Sequence, residues 1–528
     1  SLPAIGWLNY IEVNARRRMN MSGYQMIFRD VKSVAPGNVS RFVISNISSL
    51  SKVWEVTDPI NVRIQSTTFS GTNTEFILPT DSLREFIVFD EQVFLTPQKS
   101  CRVLYQDLHG KPQTDFIIVT HPLFWGQANA LADFHRTKDG LTVAVVTTEQ
   151  VFNEFSSGSQ DVSAIRDFVK MFYDRAIDST NLPRYLLLFG DGSYNVKSTA
   201  NNTNFVPAYE SGNSSDPMSS YVADDFFGML DDTEGNWDNV PGRLDVGIGR
   251  LPVKTPGEAE AAVNKIIRYA AIPETIENEN FCSDKTCHGL GDWRNSVCFA
   301  ADDEDGAEHL TQADILATKI NNAHHQLNIN KIYFDAYQQV ATPGGERYPD
   351  ATAAFMRQMD KGALIVNYTG HGGEYGWAHE RFLETYHINS WKNKCRLPLF
   401  LTATCSFGRW DNPSLTSAGE LTFLNAEGGA IGLITATRTV NSGGNFLLNN
   451  YFYDYVFKSL PDGKKPRMGD LNMLTKNSMY PTDINERCFS FLGDPALMLS
   501  YPKHNVVTTK INGAVINTLH PDTVNALS

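Results

Sequence analysis

Cysteine is scarce: seven residues in 528, at positions 101, 282, 287, 298, 395, 405 and 488. That few, that scattered, exclude a disulfide-stapled scaffold. Cys282-Ser-Asp-Lys-Thr-Cys287 could still close a small loop bridge in an oxidising compartment. A zinc reading of that pair with His288 lacks a fourth ligand at sensible spacing. Positive charge is also short. Forty-five Lys and Arg against 59 Asp and Glu leave a net charge of −14, which argues against nucleic acid and against direct docking on an anionic membrane face. No apolar run approaches the roughly 18–20 residues that span a bilayer, and no signal peptide is visible. The chain opens at Ser1 and stops at Ser528 inside strand-like patterns, as expected of an excised or processed piece.

What is present describes an ordinary folded chain, 42% hydrophobic and 20% charged, long enough for three or four units with large cores. Up to about residue 111 the signals are short strands and turns. Leu8 to Asn14, Tyr24 to Phe28, Ser40 to Ser45, Val62 to Phe69 and Thr74 to Leu78 predict a β-sandwich or barrel with no chemical constellation. Near Thr114 strands begin to alternate with helices, the mark of a parallel α/β sheet. The predicted class is therefore α/β: an all-β domain (1–111) precedes two side-by-side parallel-sheet subdomains (112–255 and 256–500), and a further β domain begins at 501–528.

One stretch holds the convincing chemistry. Gly362-Ala-Leu-Ile-Val-Asn-Tyr368 and Leu397-Pro-Leu-Phe-Leu-Thr-Ala403 are short apolar runs, each broken by a turn: Thr369-Gly-His-Gly-Gly373 and Thr404-Cys-Ser-Phe-Gly408. Such runs read as strands buried on both faces. The segment between them is long enough for a crossover, so both end at one sheet edge, where open α/β sheets bind ligands. His371 and Cys405 then meet, a pair suited to nucleophilic catalysis because the thiolate is the attacking species. The N–H groups of Gly372 and Cys405 could form an oxyanion hole.

These motifs, Tyr368-Thr-Gly-His-Gly-Gly373 with Leu397-Pro-Leu-Phe400 and Ala403-Thr-Cys405, resemble the gingipain-type cysteine peptidases of clan CD. Tyr185-Leu-Leu-Leu-Phe-Gly-Asp191, Val246-Gly-Ile-Gly-Arg-Leu-Pro252 and Leu492-Gly-Asp-Pro-Ala-Leu497 fall in the same order. The resemblance implies a His371–Cys405 dyad. It also implies an acid that orients the histidine, with Asp303 the best match and Asp302 one register away. Where arginine-specific relatives carry a second Asp for the substrate's basic side chain, this sequence offers Glu308 or His309, which favours a narrow, cargo-directed enzyme. Trp377 and Trp410 are candidate walls of the substrate cleft. The β-rich N-terminal region, with Trp7-Leu-Asn-Tyr-Ile-Glu-Val13, is most similar to the type IX secretion sortase branch. That branch implies a place on the extracellular face of the outer membrane beside a secretion-system component. Its cargo would be exported proteins with C-terminal sorting domains, and anionic lipopolysaccharide a candidate acceptor. No cofactor is required. The acidic loops at Asp224, Asp225, Asp231 and Asp232 offer oxygen ligands for a structural calcium. A broad secreted endopeptidase, or a catalytically silent adhesin, are the alternative expectations.

Overall fold

The computed structural model describes residues 11–516, apart from 14, 97, 99–101, 198–201, 213–215, 217, 235–241, 271–290, 481–483, 503–506 and 512. The predicted strand at Leu8 to Asn14 and the Cys282–Cys287 bridge, with its zinc alternative, fall largely or wholly outside the described residues. Cys395 is held in a disulfide, whereas Cys405 is a free thiol. The chain divides into two compact units, Ser1–Tyr105 and Gln106–Ser528.

The first unit is built from β1 (Gln25–Arg29), β2 (Val39–Ser45), β3 (Ser51–Glu55), β4 (Arg63–Ile64), β5 (Thr68–Ser70), β6 (Asn73–Pro79) and β7 (Glu85–Asp90). These form two antiparallel sheets, β1-β7-β3-β4 and β2-β6-β5. The inward residues of both, among them Phe42, Ile44, Phe76, Phe86 and Val88, make one core, as alternation in a sandwich requires. The rings of Phe42, Phe76 and Phe86 lie 5.1–5.2 Å apart.

In the second unit the strands are β8 (Phe116–Thr120), β9 (Val143–Thr147), β10 (Tyr185–Phe189), β11 (Gly247–Leu251), β12 (Ser296–Ala301) and β13 (Asn328–Tyr333). A hairpin, β14 (Val340–Thr342) and β15 (Gly345–Arg347), precedes β16 (Ile365–Thr369). A small meander follows: β17 (Gly372–Gly373), β18 (Gly376–Trp377) and β19 (Leu383–Glu384). Then come β20 (Leu399–Ala403), β21 (Gly432–Ala436) and β22 (Phe489–Leu492). Ten of these strands form one sheet, ordered β13-β12-β16-β20-β21-β22-β11-β10-β8-β9. The two α/β subdomains expected side by side thus share a continuous sheet. The joint is β22, antiparallel to β21 and parallel to β11; every other neighbour in the sheet is parallel.

Helices cover both halves, including α1 (Trp125–Asp139), α2 (Thr148–Phe155), α3 (Val162–Asp174), α4 (Pro256–Ala270), α5 (Glu304–Ala323) and α6 (Pro349–Lys361). Their apolar stripes seal the faces, so β8, β10, β11, β12, β16, β20 and β21 are buried along their whole length. That is why these strands read as unbroken apolar runs rather than alternating ones. No helix among the described residues is long and apolar enough to cross a membrane.

Candidate active site

The register of β16 against β20 sets Thr369 opposite Ala403. His371 and Cys405 each stand two residues further on, at the same edge. The loops close on one another: Gly370 N–H donates to the Ala403 carbonyl at 3.3 Å, and a β-carbon on Gly372 would fall 2.5 Å from Thr404 Oγ1. Only glycine allows that approach. An ion pair between Arg409 and Glu374 ties the same two loops together.

Cys405 is half-buried, with Sγ 3.6 Å from the Val440 carbonyl. Its flanks are unusual. Ser406 adopts φ +52°, a left-handed conformation that non-glycine residues rarely hold, and its N–H donates to Arg438 O at 3.0 Å. Thr404 Oγ1 is buried without a hydrogen-bond partner.

The histidine loop is pinned from below. Tyr368 stacks flat on Trp377, centroids 4.3 Å apart at 2°, and its hydroxyl donates to the His371 carbonyl at 2.7 Å. Ala378 N–H reaches the same carbonyl at 2.8 Å. That bond makes Gly372 and Trp377 a non-hydrogen-bonded pair of the hairpin, so the ladder leaves the Gly372 N–H unused. An oxyanion donor needs such an N–H.

Asp302, wholly buried, accepts from the His371 N–H at 2.5 Å through one oxygen and contacts His309 Nδ1 at 2.5 Å through the other. Gly370 makes room for it, since a β-carbon there would lie 2.5 Å from Asp302 Oδ2. His309 is held above its ordinary pKa: burial opposes its charge, but the hydrogen bond to Asp302 and the charges of Asp302, Asp305 and Glu308 outweigh that. The His371 ring meets His309 edge-on at 5.1 Å and stacks on His379 at 4.8 Å. Its Nε2 lies 3.0 Å from Asp305 Oδ2 and 3.5 Å from Glu304 Oε2. Asp305, Gly306 and Ala307 have φ of +53°, +67° and +65°, a left-handed turn at the head of α5 that delivers both acids to the imidazole.

Several expectations need correcting. Asp303 does not reach the histidine; its carboxylate accepts from the Tyr348 hydroxyl at 2.6 Å. The acids that touch His371 are Asp302 at the backbone and Asp305 and Glu304 at the ring. Trp410 is not a cleft wall: it is fully buried beneath the Arg250 guanidinium at 4.1 Å. Trp377, also buried and stacked on Tyr368, contributes to the lining of the cavity along the meander. His309 is buried on Asp302 and does not stand free for a substrate side chain, whereas Glu308, whose Oε1 accepts from Ser442 at 2.6 Å and from Gln312 at 2.9 Å, stays exposed. The calcium expectation fails on geometry. Asp224 is bidentate on Arg250 at 2.7 and 2.8 Å, and Asp225 pairs with Lys476 at 2.5 Å. Asp231 accepts from Tyr173 at 3.0 Å, and Asp232 pairs with Lys170 at 2.9 Å. These four carboxylates do not converge. Sequence reasoning passed over Asp305, Glu304 and His379. The hairpin signal of Gly372, Gly373 and Gly376 between two histidines marks His379 in retrospect.

Beside the imidazole, a cavity of about 470 Å³ runs along the meander between Gly372 and Tyr386, rimmed by Tyr375, His379, Arg381 and Tyr386.

A family model described as peptidase family C25 matches residues 109–500. Gingipain R2 of Porphyromonas gingivalis (strain ATCC 33277) is 22% identical over 385 residues, 72% of this chain and 43% of that protein. The chain therefore spans less than half the length of this curated relative. The crystal structure of the Arg-specific cysteine proteinase gingipain R superposes with a TM-score of 0.55 at 18% identity, covering 75% of this chain and 80% of that one. Dimeric latent PorU from Porphyromonas gingivalis superposes with a TM-score of 0.57 at 26% identity, covering 94% of this chain and 41% of that one.

Proposed function

The chain belongs to peptidase family C25, a family of gingipain-like cysteine peptidases, and from that premise we propose that it is a type IX secretion sortase. In this reading it removes the C-terminal sorting domains of exported cargo at the cell surface, on the extracellular face of the outer membrane. The observation that carries the reading is coverage: the likeness to PorU extends over 94% of the chain, that to gingipain R over 75%.

The chemistry follows from the site. His371 takes the thiol proton of Cys405, and the thiolate attacks the carbonyl carbon of the scissile peptide. The Gly372 N–H, unused by its hairpin, and the Cys405 N–H stabilise the tetrahedral oxyanion. Collapse breaks the C–N bond; the cargo's C-terminal domain leaves as an amine that receives the proton from His371. A thioester remains on Cys405. Water resolves it by hydrolysis, or an amine on anionic lipopolysaccharide resolves it by transfer, and either restores the thiol. Asp302 positions the imidazole by fixing the His371 backbone. The burial of His309 on Asp302 supports narrow specificity over a trypsin-like preference.

The test is direct. The protein incubated with full-length cargo under reducing conditions should cut once, at the domain junction, and Cys405→Ala should not cut. Uncleaved cargo would sink the sortase reading. Rapid turnover of short Arg- or Lys-ended peptides would favour a broad endopeptidase instead.

A further inference from the structure

Two imidazoles and one carboxylate, those of His371, His379 and Glu304, converge at the candidate dyad, and the mechanism above uses only His371. Glu304 Oε2 lies 2.8 Å from His379 Nδ1 and 3.5 Å from His371 Nε2. The ligand atoms of Glu304, His371 and His379 all fall within 4.8 Å of one another. Asp305 Oδ2 approaches the same His371 Nε2 to 3.0 Å. A tetrahedral zinc with bonds of about 2.0–2.1 Å sets its ligand atoms roughly 3.3 Å apart, which the 2.8–3.5 Å separations bracket. His/carboxylate donors also suit zinc among the common divalent ions.

Hydrogen bonding alone serves this cluster poorly. One ring nitrogen faces two carboxylate oxygens, and a single N–H cannot satisfy both, while the two acids repel each other. A cation between them relieves both defects. The backbone is shaped to the purpose: the left-handed turn at Asp305, Gly306 and Ala307 aims the two acids one way. Ala378, at φ +63°, folds His379 back over His371. The site is open to solvent, with side-chain exposures of 33% for His371, 32% for Glu304 and 68% for His379.

We propose that Glu304, His371 and His379 form a three-ligand zinc site, with the fourth position left to water, that suppresses the peptidase. The ion takes the lone pair on His371 Nε2 and fixes the ring, so the imidazole is held out of proton transfer with Cys405. The suppression rests on the reading of His371 as the catalytic base; the ion site does not.

The test separates the two. Zinc titrated calorimetrically into Cys405→Ala protein, which removes the thiol as a competing ligand, should bind as one ion per chain. His379→Ala and Glu304→Gln in that background should each weaken binding by more than about 100-fold, beyond the loss of an outer-shell partner. Absence of binding to Cys405→Ala protein, or binding unmoved by both further changes, overturns the proposal. In metal-free wild type, added zinc should stop cargo cleavage and a chelator restore it, and His379→Ala should need far more zinc. Cleavage unaffected by saturating zinc would overturn the suppressing role. No cleavage at all by metal-free protein would defeat the peptidase reading, and the suppressing role with it, while leaving the ion site intact.

Discussion

Strands in both halves of the long sheet run out into polar turns, yet the two halves differ in what surrounds those turns. In the first half Arg250, in β11, is fully buried and every arm is engaged: Nε and Nη2 on Asp224, Nη1 on the carbonyls of Gly190 and Val206. Asp225 is neutralised by Lys476. In the second half Thr404 Oγ1 is orphaned, Ser406 and Ala307 are backbone outliers, and His371 stays a third exposed. Both halves keep buried groups without hydrogen-bond partners, Asp191 in the first and Thr404 in the second. What sets the second apart is left-handed backbone beside a partly exposed imidazole and thiol, the setting reactive groups need.

The comparison breaks most sharply at the thiol. Cys405→Ala should lower turnover of cargo by at least about 10⁴-fold, as loss of a nucleophile does, with the thermal midpoint within a degree or two. Arg250→Ala should do the reverse, destabilising by about 3–5 kcal/mol because Asp224 is left buried and uncompensated; equilibrium denaturation measures it. Next is His135, wholly buried in the first half between Asp139 at 2.6 Å and Asp494 at 2.7 Å. Burial opposes its charge, but the two carboxylates prevail and push its pKa from 6.5 up to about 9. A raised folded-state pKa gives stability that is complete below about 6.5 and lost as pH rises through about 9, on the order of 3 kcal/mol. Thermal unfolding from pH 6 to 10 should show that decline, and His135→Gln should flatten it. The smallest effect is expected at Gly372→Ala. Its β-carbon would sit 2.5 Å from Thr404 Oγ1 and 2.9 Å from the Gly376 carbonyl, displacing the histidine loop. A loss of about ten- to a hundred-fold in kcat/KM with little change in stability would locate the defect in alignment.

Much of this was legible from residues alone. Strands buried on both faces leave continuous apolar runs, so β16 and β20 could be read within three residues of their ends, and their shared edge followed from parallel topology. The acidic run at 302–305 could be placed at that edge too. Which acid faces inward could not, because neighbouring residues leaving a strand point to opposite sides and a one-residue slip exchanges Asp302 for Asp303. Trp410 misled for a related reason: proximity in sequence to a reactive residue says nothing about which side of the loop an indole covers. β3 and β7, the two inner strands of their sheet, were missed because patterns such as Ser51–Glu55 alternate too briefly to stand out.

β22 comes last in sequence among the ten strands yet lies sixth across the sheet, between β21 and β11. A chain emerging end-first, whether from a ribosome or through a secretion pore, holds nine strands in two unjoined groups until residue 492 is free. Long-range pairing of that kind is slow to form. Assembly of the second half into its final frame therefore waits for that one late strand, a delay written into strand order.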